Sequence, residues 1–387
     1  MDMTSVQHST YNPVTRNTEG EKFKKSRLKS IDALRGFDMF WIMGIGSAIF
    51  QIAEIQKTPF WSALALQFEH PYWNGFTFWD LIFPLFMFLS GLSSPFSVNN
   101  QLKKGRSKQQ ILWKVVKRGM ILVLLGIIYN AQGLVLKPLD EYRYASVLGK
   151  IGLSYIFANI IYLYAKPKGQ IIWYWALLIG YWLLLKFTSA PGYPMGDLTE
   201  PGNFMSYFDR NVLPGKLSRG IHDTVGLLCT ITGVATTLLG VITGDFLRKH
   251  PMKPSKKAQW FAIAGAGLIL LALVWNIDFP INKNLWSSSF TVLTGGISLL
   301  LFALFYFIID VKGYDKWTFF FRVIGMNSIF IYISPVFISY SYTANKLFGS
   351  IGALFGAYEA PVMRLFAVVV AWLVLYFLYK KNVFLKI

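Results

Sequence analysis

His70–Gly91 reads HPYWNGFTFWDLIFPLFMFLSG. The apolar run from 76 to 98 is long enough to cross a hydrocarbon layer of about 30 Å, which takes about 20 helical residues. Ahead of it, His70, Tyr72, Trp73 and Asn74 form the aromatic and polar cluster typical of a membrane–water interface. The stretch therefore predicts a transmembrane helix entered from a polar loop. If the helix starts near Gly75, Asp80 lies one or two turns below His70. A carboxylate at that depth is costly unless it faces the interior of a bundle.

Working outward from this helix, similar apolar segments fall at 36–54, 118–136, 147–165, 170–188, 221–247, 258–276, 288–309, 318–341 and 357–379. With 76–98 they make about ten spans, so the expected fold class is all-α, a polytopic transmembrane helical bundle. Composition agrees, since 54% of the 387 residues are hydrophobic and only 15% are charged, beyond what a soluble domain carries. Residues 1–30 are polar and basic and are expected to form a retained, partly disordered cytoplasmic tail. Residues 31–387 form the membrane domain.

The net charge of +19 does not imply nucleic acid, because the basic residues sit between apolar runs rather than on one solvated face. They concentrate on alternate connections, including the set Lys103, Lys104, Arg106, Lys108, Lys114, Lys117 and Arg118. Lys57, Lys137, Arg143, Arg210, Lys216, Arg219, Lys283 and Lys346 are the sparser set on the other side. The positive-inside rule then places both termini in the cytoplasm and His70 outside. Cys229 is the only cysteine, which excludes an intrachain disulfide framework and a cysteine metal cluster.

Ionisable residues inside apolar spans are candidate sites, or else helix-to-helix ion pairs and snorkelling groups. They include Asp38, Asp80, Lys150, Asp223, Arg322 and Arg364, while Asp32 and Arg35 read as a local pair on one helix face. Of the four histidines, His8 and His250 fall in solvated segments. His222 adjoins Asp223 at the mouth of the sixth span, and His70 lies above Asp80. An imidazole at such a position suits general-base work near neutral pH, though interfacial packing explains it too. No Walker loop, GxSxG elbow or HExxH motif is present, and no metal is expected.

Four stretches in order carry a family resemblance: RLKSIDALRGF (Arg27–Phe37), HPYWNGFTFWDLIFPLFMFLSG, PINKNLWSSSF (Pro280–Phe290), and DVKG followed by GMNSIFIY (Gly325–Tyr332). Together the chain resembles the heparan-alpha-glucosaminide N-acetyltransferase family. The resemblance implies a transmembrane acyltransferase that moves an acetyl group from cytoplasmic acetyl-CoA to an amino sugar or glycan on the opposite side. It carries the family's active-site histidine onto His70, with Asn74 and Asp80 as the matching neighbours. It departs where the lysosomal enzyme has an Asn and this chain has Gly46, and where DPEG becomes HDTVG, keeping Asp223. The lysosomal enzyme also has a large luminal region and one further N-terminal span.

On that reading His70 is a general base or an acyl-accepting residue. Asn74 donates to an oxyanion or orients the imidazole, and Asp80 holds its tautomer. Lys103, Lys104, Arg106, Lys117 and Arg118 are expected to meet the phosphates of acetyl-CoA, or simply to orient the chain. Asn282, Asn284, Trp286, Asp223 and Asn327 suit sugar recognition, and interfacial packing explains them nearly as well. The expected surroundings are membrane lipid in a bacterial cytoplasmic membrane, with a homodimer allowed for and no nucleic acid. The rival reading is a transporter or flippase, which also needs buried charges in a helical bundle.

Overall fold

The computed structural model describes residues 28–132 and 138–385. Most of the expected tail, and the outer part of the 118–136 segment, lie outside the described residues. Among the described residues the architecture is all-helical, apart from one isolated antiparallel bridge between Arg143 and Gly215.

The chain enters through α1 (Lys29–Phe40) and α2 (Gly46–Gln56), one long helix interrupted at Trp41–Ile45. Gly44 takes φ 133° there, a conformation that L side chains rarely adopt. α3 (Pro59–Leu66) is a short helix capped by Thr58, and α4 (Trp79–Lys103) follows the His70 loop. α5 (Lys108–Asn130) opens on a capping box between Ser107 and Gln110. Next come α6 (Val147–Tyr164), α7 (Pro167–Phe187) and the short α8 (Phe204–Val212). α9 (Thr230–Lys249), α10 (Pro254–Trp275) and α11 (Ser288–Phe305) form the next group. α12 (Phe319–Met326) and α13 (Ser328–Ile333) flank a bend at Asn327, and α14 (Tyr340–Ala353) and α15 (Glu359–Lys380) close the chain.

Among the described residues, eight helices are long and apolar enough to cross a membrane, or nine if the segment bent by 62° at Asn327 is one span. The expected all-α transmembrane bundle is what forms, with eight or nine such spans among the described residues where about ten were expected. The difference is α5, which has 23 residues but places Lys114, Lys117 and Arg118 within what would be its apolar stretch. A second correction concerns 221–229, expected within a span, which forms turns ahead of α9. His222 and Asp223 therefore belong to a loop, and Asp223 is not an intramembrane helical charge.

α4 and α9 are the most enclosed spans and cross at the centre. A Cβ on Gly91 would stand 1.9 Å from the Thr237 carbonyl oxygen, and one on Gly240 would stand 2.0 Å from that of Phe88. Only glycine allows backbones this close, the same means by which small residues bring membrane helices together. α10 packs on α11, α5 on α6, α1 on α12 and α14 on α15. The main core gathers Leu85, Phe88, Leu92, Leu238, Trp286, Phe290 and Phe302 around the α4–α9 crossing.

Candidate active site

The chain enters α4 by a defined turn. Phe78 N–H donates to Gln67 Oε1 at 3.2 Å, and Trp79 N–H donates to the Gln67 carbonyl at 2.9 Å. Asp80 falls in the first helical turn, where unpaired N–H groups and the helix dipole favour a negative charge. Thr77 N–H donates to its Oδ2 at 3.1 Å, and the Thr77 hydroxyl does so at 3.3 Å. Its other oxygen, Oδ1, lies 2.7 Å from His70 Nδ1. The Asp80 side chain is fully buried, whereas that of His70 is 46% exposed. A masked carboxylate thus holds an imidazole that remains open to substrate.

The third member is Lys283, from the loop between α10 and α11. Its Nζ lies 2.8 Å from His70 Nε2, 3.0 Å from Nδ1 and 3.3 Å from Asp80 Oδ1. With Nδ1 facing the carboxylate, the tautomer that satisfies this contact carries its proton on Nδ1 and leaves the Nε2 lone pair unprotonated, while the ammonium, nearly equidistant from both nitrogens, lies off that lone pair's axis. Burial pulls the Lys283 ammonium below the usual lysine range, and the nearby Asp80 charge opposes that. Sequence reasoning counted Lys283 only as one cation on the outer side. Its position within PINKNLWSSSF, two residues from Ile281 and flanked by Asn282 and Asn284, was the available signal.

The two loops are tied backbone to backbone and amide to amide. Gly75 N–H donates to the Ile281 carbonyl at 2.8 Å. Asn282 Nδ2 donates to Asn74 Oδ1 at 2.9 Å, and Asn284 Nδ2 donates to the carbonyls of Tyr72 and Trp73 at 3.1 and 3.3 Å. Asn74, Asn282 and Asn284 therefore come together near His70. The geometry uses their amides to lock the loops against each other. Asn284 also lines the cavity that His70 and Lys283 face, a space of about 530 Å³ walled by Trp79, Phe83, Phe86, Tyr129, Arg143 and Tyr332 among others.

Further support comes from the 189–229 region. Trp73 Nε1 donates to the Leu198 carbonyl at 2.8 Å, and Arg219 reaches the Tyr72 carbonyl at 3.1 Å with its guanidinium over the Tyr72 ring. His222 is fully buried, edge-on to Trp73, with Nδ1 2.7 Å from the Ser206 hydroxyl. Burial pulls its imidazole down to about 4. Asp209, bonded to the N–H groups of Leu227 and Leu228, is pushed up to about 6 by burial. These groups were absent from the expected site, apart from His222, because nothing in their spacing showed that α8 and the α9 approach would fold back beneath the His70 loop.

Other expected residues fall elsewhere. Asp223 is fully buried and gripped by Arg143 through two bonds of 2.8 and 2.7 Å, with N–H groups of Ser218 and Val225 completing its shell. Arg143, not Asp223, lines the cavity. Trp286 is fully buried under the Lys150 ammonium, 3.5 Å from the ring centroid, and Lys150 Nζ lies 3.0 Å from Cys229 Sγ. Asn327 sits at the bend between α12 and α13, bonded to Val383 and Leu385 beyond α15. It is not brought to His70. Gly46 lies close to Phe68 and Trp79, so a side chain there would press on a cavity wall.

Lys103 ends α4, Lys104 and Arg106 lie in the turn after it, and Lys117 and Arg118 are on α5. Arg106 donates to Gln101 Oε1 at 3.0 Å, and Arg118 lies over the Tyr155 ring. α4 has 25 residues, a rise of about 37 Å, so the turn after it is a full membrane thickness from Asp80. Among the described residues no cluster of three or more His, Cys, Asp or Glu could hold a metal ion.

Comparison with known proteins identifies the family. The chain is 28% identical to heparan-alpha-glucosaminide N-acetyltransferase of Homo sapiens over 416 aligned residues, covering 93% of this chain and 60% of that protein. It is 28% identical to the Mus musculus protein of the same name over 432 residues, covering 97% and 62%. The chain thus spans about three fifths of the length of these curated relatives. The family profile described as heparan-alpha-glucosaminide N-acetyltransferase, catalytic, matches residues 27–273, a stretch that contains His70, Asn74, Asp80 and the α4–α9 crossing. With that match across more than half its length, this integral membrane protein belongs to the heparan-alpha-glucosaminide N-acetyltransferase catalytic family.

Proposed function

We propose that this protein transfers an acetyl group from acetyl-CoA, supplied from the cytoplasmic, basic end of the bundle, to an amino sugar or amino-sugar-containing glycan at the His70 end. The observation that carries the reading is the Asp80–His70–Lys283 contact at the mouth of a cavity within a membrane bundle. Family membership supports acetyl-CoA as donor. Positive-inside bias supports a bacterial cytoplasmic membrane with His70 facing outward.

The chemistry follows from the contacts. The acceptor amine attacks the thioester carbonyl carbon, a C–N bond forms and the C–S bond breaks. His70 Nε2 takes the amine proton and returns it to the departing CoA sulfur. Asp80 fixes the tautomer that leaves Nε2 free and stabilises the imidazolium that forms. The Lys283 ammonium is the nearest cation for negative charge developing on the carbonyl oxygen. Its Nζ, nearly equidistant from the two ring nitrogens, lies off the Nε2 lone-pair axis in this structure. Lys103, Lys104, Arg106, Lys117 and Arg118 would hold the donor's phosphates by charge-assisted bonds.

The test is purified protein in sealed vesicles with acetyl-labelled CoA outside and glucosamine inside, in the population whose basic end faces outward. Labelled N-acetylglucosamine should accumulate within the lumen. Absence of product together with absence of acetyl-CoA binding sinks the reading. Acceptor counterflow without acetylation, unaffected by His70→Ala, would establish transport instead. Initial-rate lines that intersect support His70 as base in direct transfer, whereas parallel lines support an acetyl-His70 relay.

A further inference from the structure

Trp286 has φ 51°. Among the described residues three other non-glycine residues have positive φ, Lys57, Gln132 and Asn382, and all three are exposed. Trp286 is instead fully buried. A bulky side chain in the left-handed region is an outlier that persists only where its surroundings over-determine it.

This conformation closes a turn around Lys283. Ser287 N–H donates to the Asn282 carbonyl and Trp286 N–H to the Lys283 carbonyl, each at 3.0 Å. These are the paired bonds of a Schellman turn, with Trp286 in the left-handed position that glycine usually fills. Leu285 N–H donates to Asn282 Oδ1 at 2.8 Å, and Asn282 N–H to Ser287 Oγ at 3.1 Å. Lys283 lies inside the turn, so the turn fixes the direction in which its stem leaves the backbone. Its Nζ ends 2.8 and 3.0 Å from the two ring nitrogens of His70. If Trp286 left the left-handed region, both bonds of the turn would open.

Four helices hold Trp286 in place. Phe83 of α4 and Phe290 of α11 meet its ring edge-on, with centroids 4.8 and 5.3 Å away. The Thr232 hydroxyl of α9 donates to its carbonyl at 2.8 Å. Lys150 of α6 places its ammonium 3.5 Å from the ring centroid. That ammonium donates to Cys229 Sγ at 3.0 Å, a weak acceptor. The carboxylates whose charge reaches it are bonded elsewhere, Asp223 to Arg143 and Asp209 to the N–H groups of Leu227 and Leu228. Its main partner is therefore the indole face, the best ring for a cation, in a desolvated setting where such a contact is strongest.

We propose that Lys150 is a positioning residue for acetyl transfer: its ammonium, seated on the Trp286 ring, holds Trp286 in the left-handed conformation and so keeps Lys283 at the His70–Asp80 pair. The inference rests on the acetyl-transfer reading and deepens it. Neither Lys150 nor Trp286 lines the cavity that His70 and Lys283 face, so Lys150 acts through the turn.

The experiment is a double-mutant cycle on acetyl transfer to glucosamine, with Lys150→Met introduced into the wild type and into Lys283→Met. Methionine keeps an unbranched side chain and removes the charge. In the wild-type background kcat should fall about tenfold, the loss of one desolvated cation–ring contact, with KM for acetyl-CoA little changed. In the Lys283→Met background the same substitution should change kcat by less than about threefold, because no ammonium is left to place. Equal losses in the two backgrounds would make Lys150 a merely structural residue and overturn the inference. A folded Lys150→Met within threefold of wild type would do the same. Should Lys150→Met yield no folded protein, Trp286→Phe takes its place in both backgrounds, since a Phe ring holds the ammonium less tightly. The same split is then expected, and equal losses again overturn the inference. A wild type that acetylates no amino sugar overturns the transferase reading. A wild type that does so, with a cycle that shows no split, overturns this inference alone.

Discussion

His70 Nδ1 stands 2.7 Å from Asp80 Oδ1, two side chains ten positions apart in sequence that meet across the start of α4. The carboxylate is enclosed and the imidazole is not. The imidazole, and not the carboxylate, lines the cavity.

Asp80→Asn keeps the shape but offers an amide in place of a carboxylate, which no longer enforces the Nδ1–H tautomer. The expected loss in kcat is about 10³–10⁴-fold, with KM for acetyl-CoA little changed. Steady-state kinetics on protein of unchanged thermal stability checks this. A variant within threefold of wild type would show that Asp80 does not orient the base.

Lys283→Met removes a cation 2.8 Å from His70 Nε2. Loss of its stabilisation of the developing oxyanion should cost about 10²–10³-fold in kcat. Steady-state kinetics checks this, and a variant within threefold of wild type in kcat would assign Lys283 to packing.

Arg143→Ala leaves Asp223 buried without its main partner. Breaking a buried pair from one side costs about 3–5 kcal/mol, so the midpoint of thermal unfolding in detergent should fall sharply. Arg143→Ala combined with Asp223→Asn should recover much of the loss, because the stranded charge is gone. Equal midpoints for the single and double variants would contradict the pairing.

His222 and Asp209 give the outer segment opposing pH responses. Burial pulls His222 from about 6.5 to about 4, so its contribution to stability is complete above the unfolded value and is lost as pH falls from 6.5 toward 4. Asp209, raised to about 6, favours the folded state as pH falls from 6 toward the usual carboxylate value. Asp209→Asn should therefore unmask a loss of thermal stability between pH 7 and pH 5, and adding His222→Gln should flatten it. A flat profile in Asp209→Asn alone would place His222 in a solvated setting.

The helices at 147–164, 167–187, 254–275 and 359–380 lie within a few residues of their expected limits because an uninterrupted apolar run has one solution in lipid, a hydrogen-bonded helix. The same residues misled where charge or irregular backbone intruded. Lys114, Lys117 and Arg118 lower the apolarity of α5, and His222 and Asp223 sit in turns made affordable by Arg143, Ser218 and Val225.

The sequence by itself determined the membrane bundle, the position of His70 at its interface and the presence of Asp80 below it, since each follows from local runs of residues and the length of a helix turn. Only the tertiary structure decided that Lys283, more than two hundred residues away, completes the site, and that Arg143 rather than Asp223 faces the cavity. It also set Trp286 beneath the Lys150 ammonium and Asn327 at the bend between α12 and α13. Apolar length is written along the chain, but a contact between distant loops depends on how the helices that carry them pack, here α4 against α11.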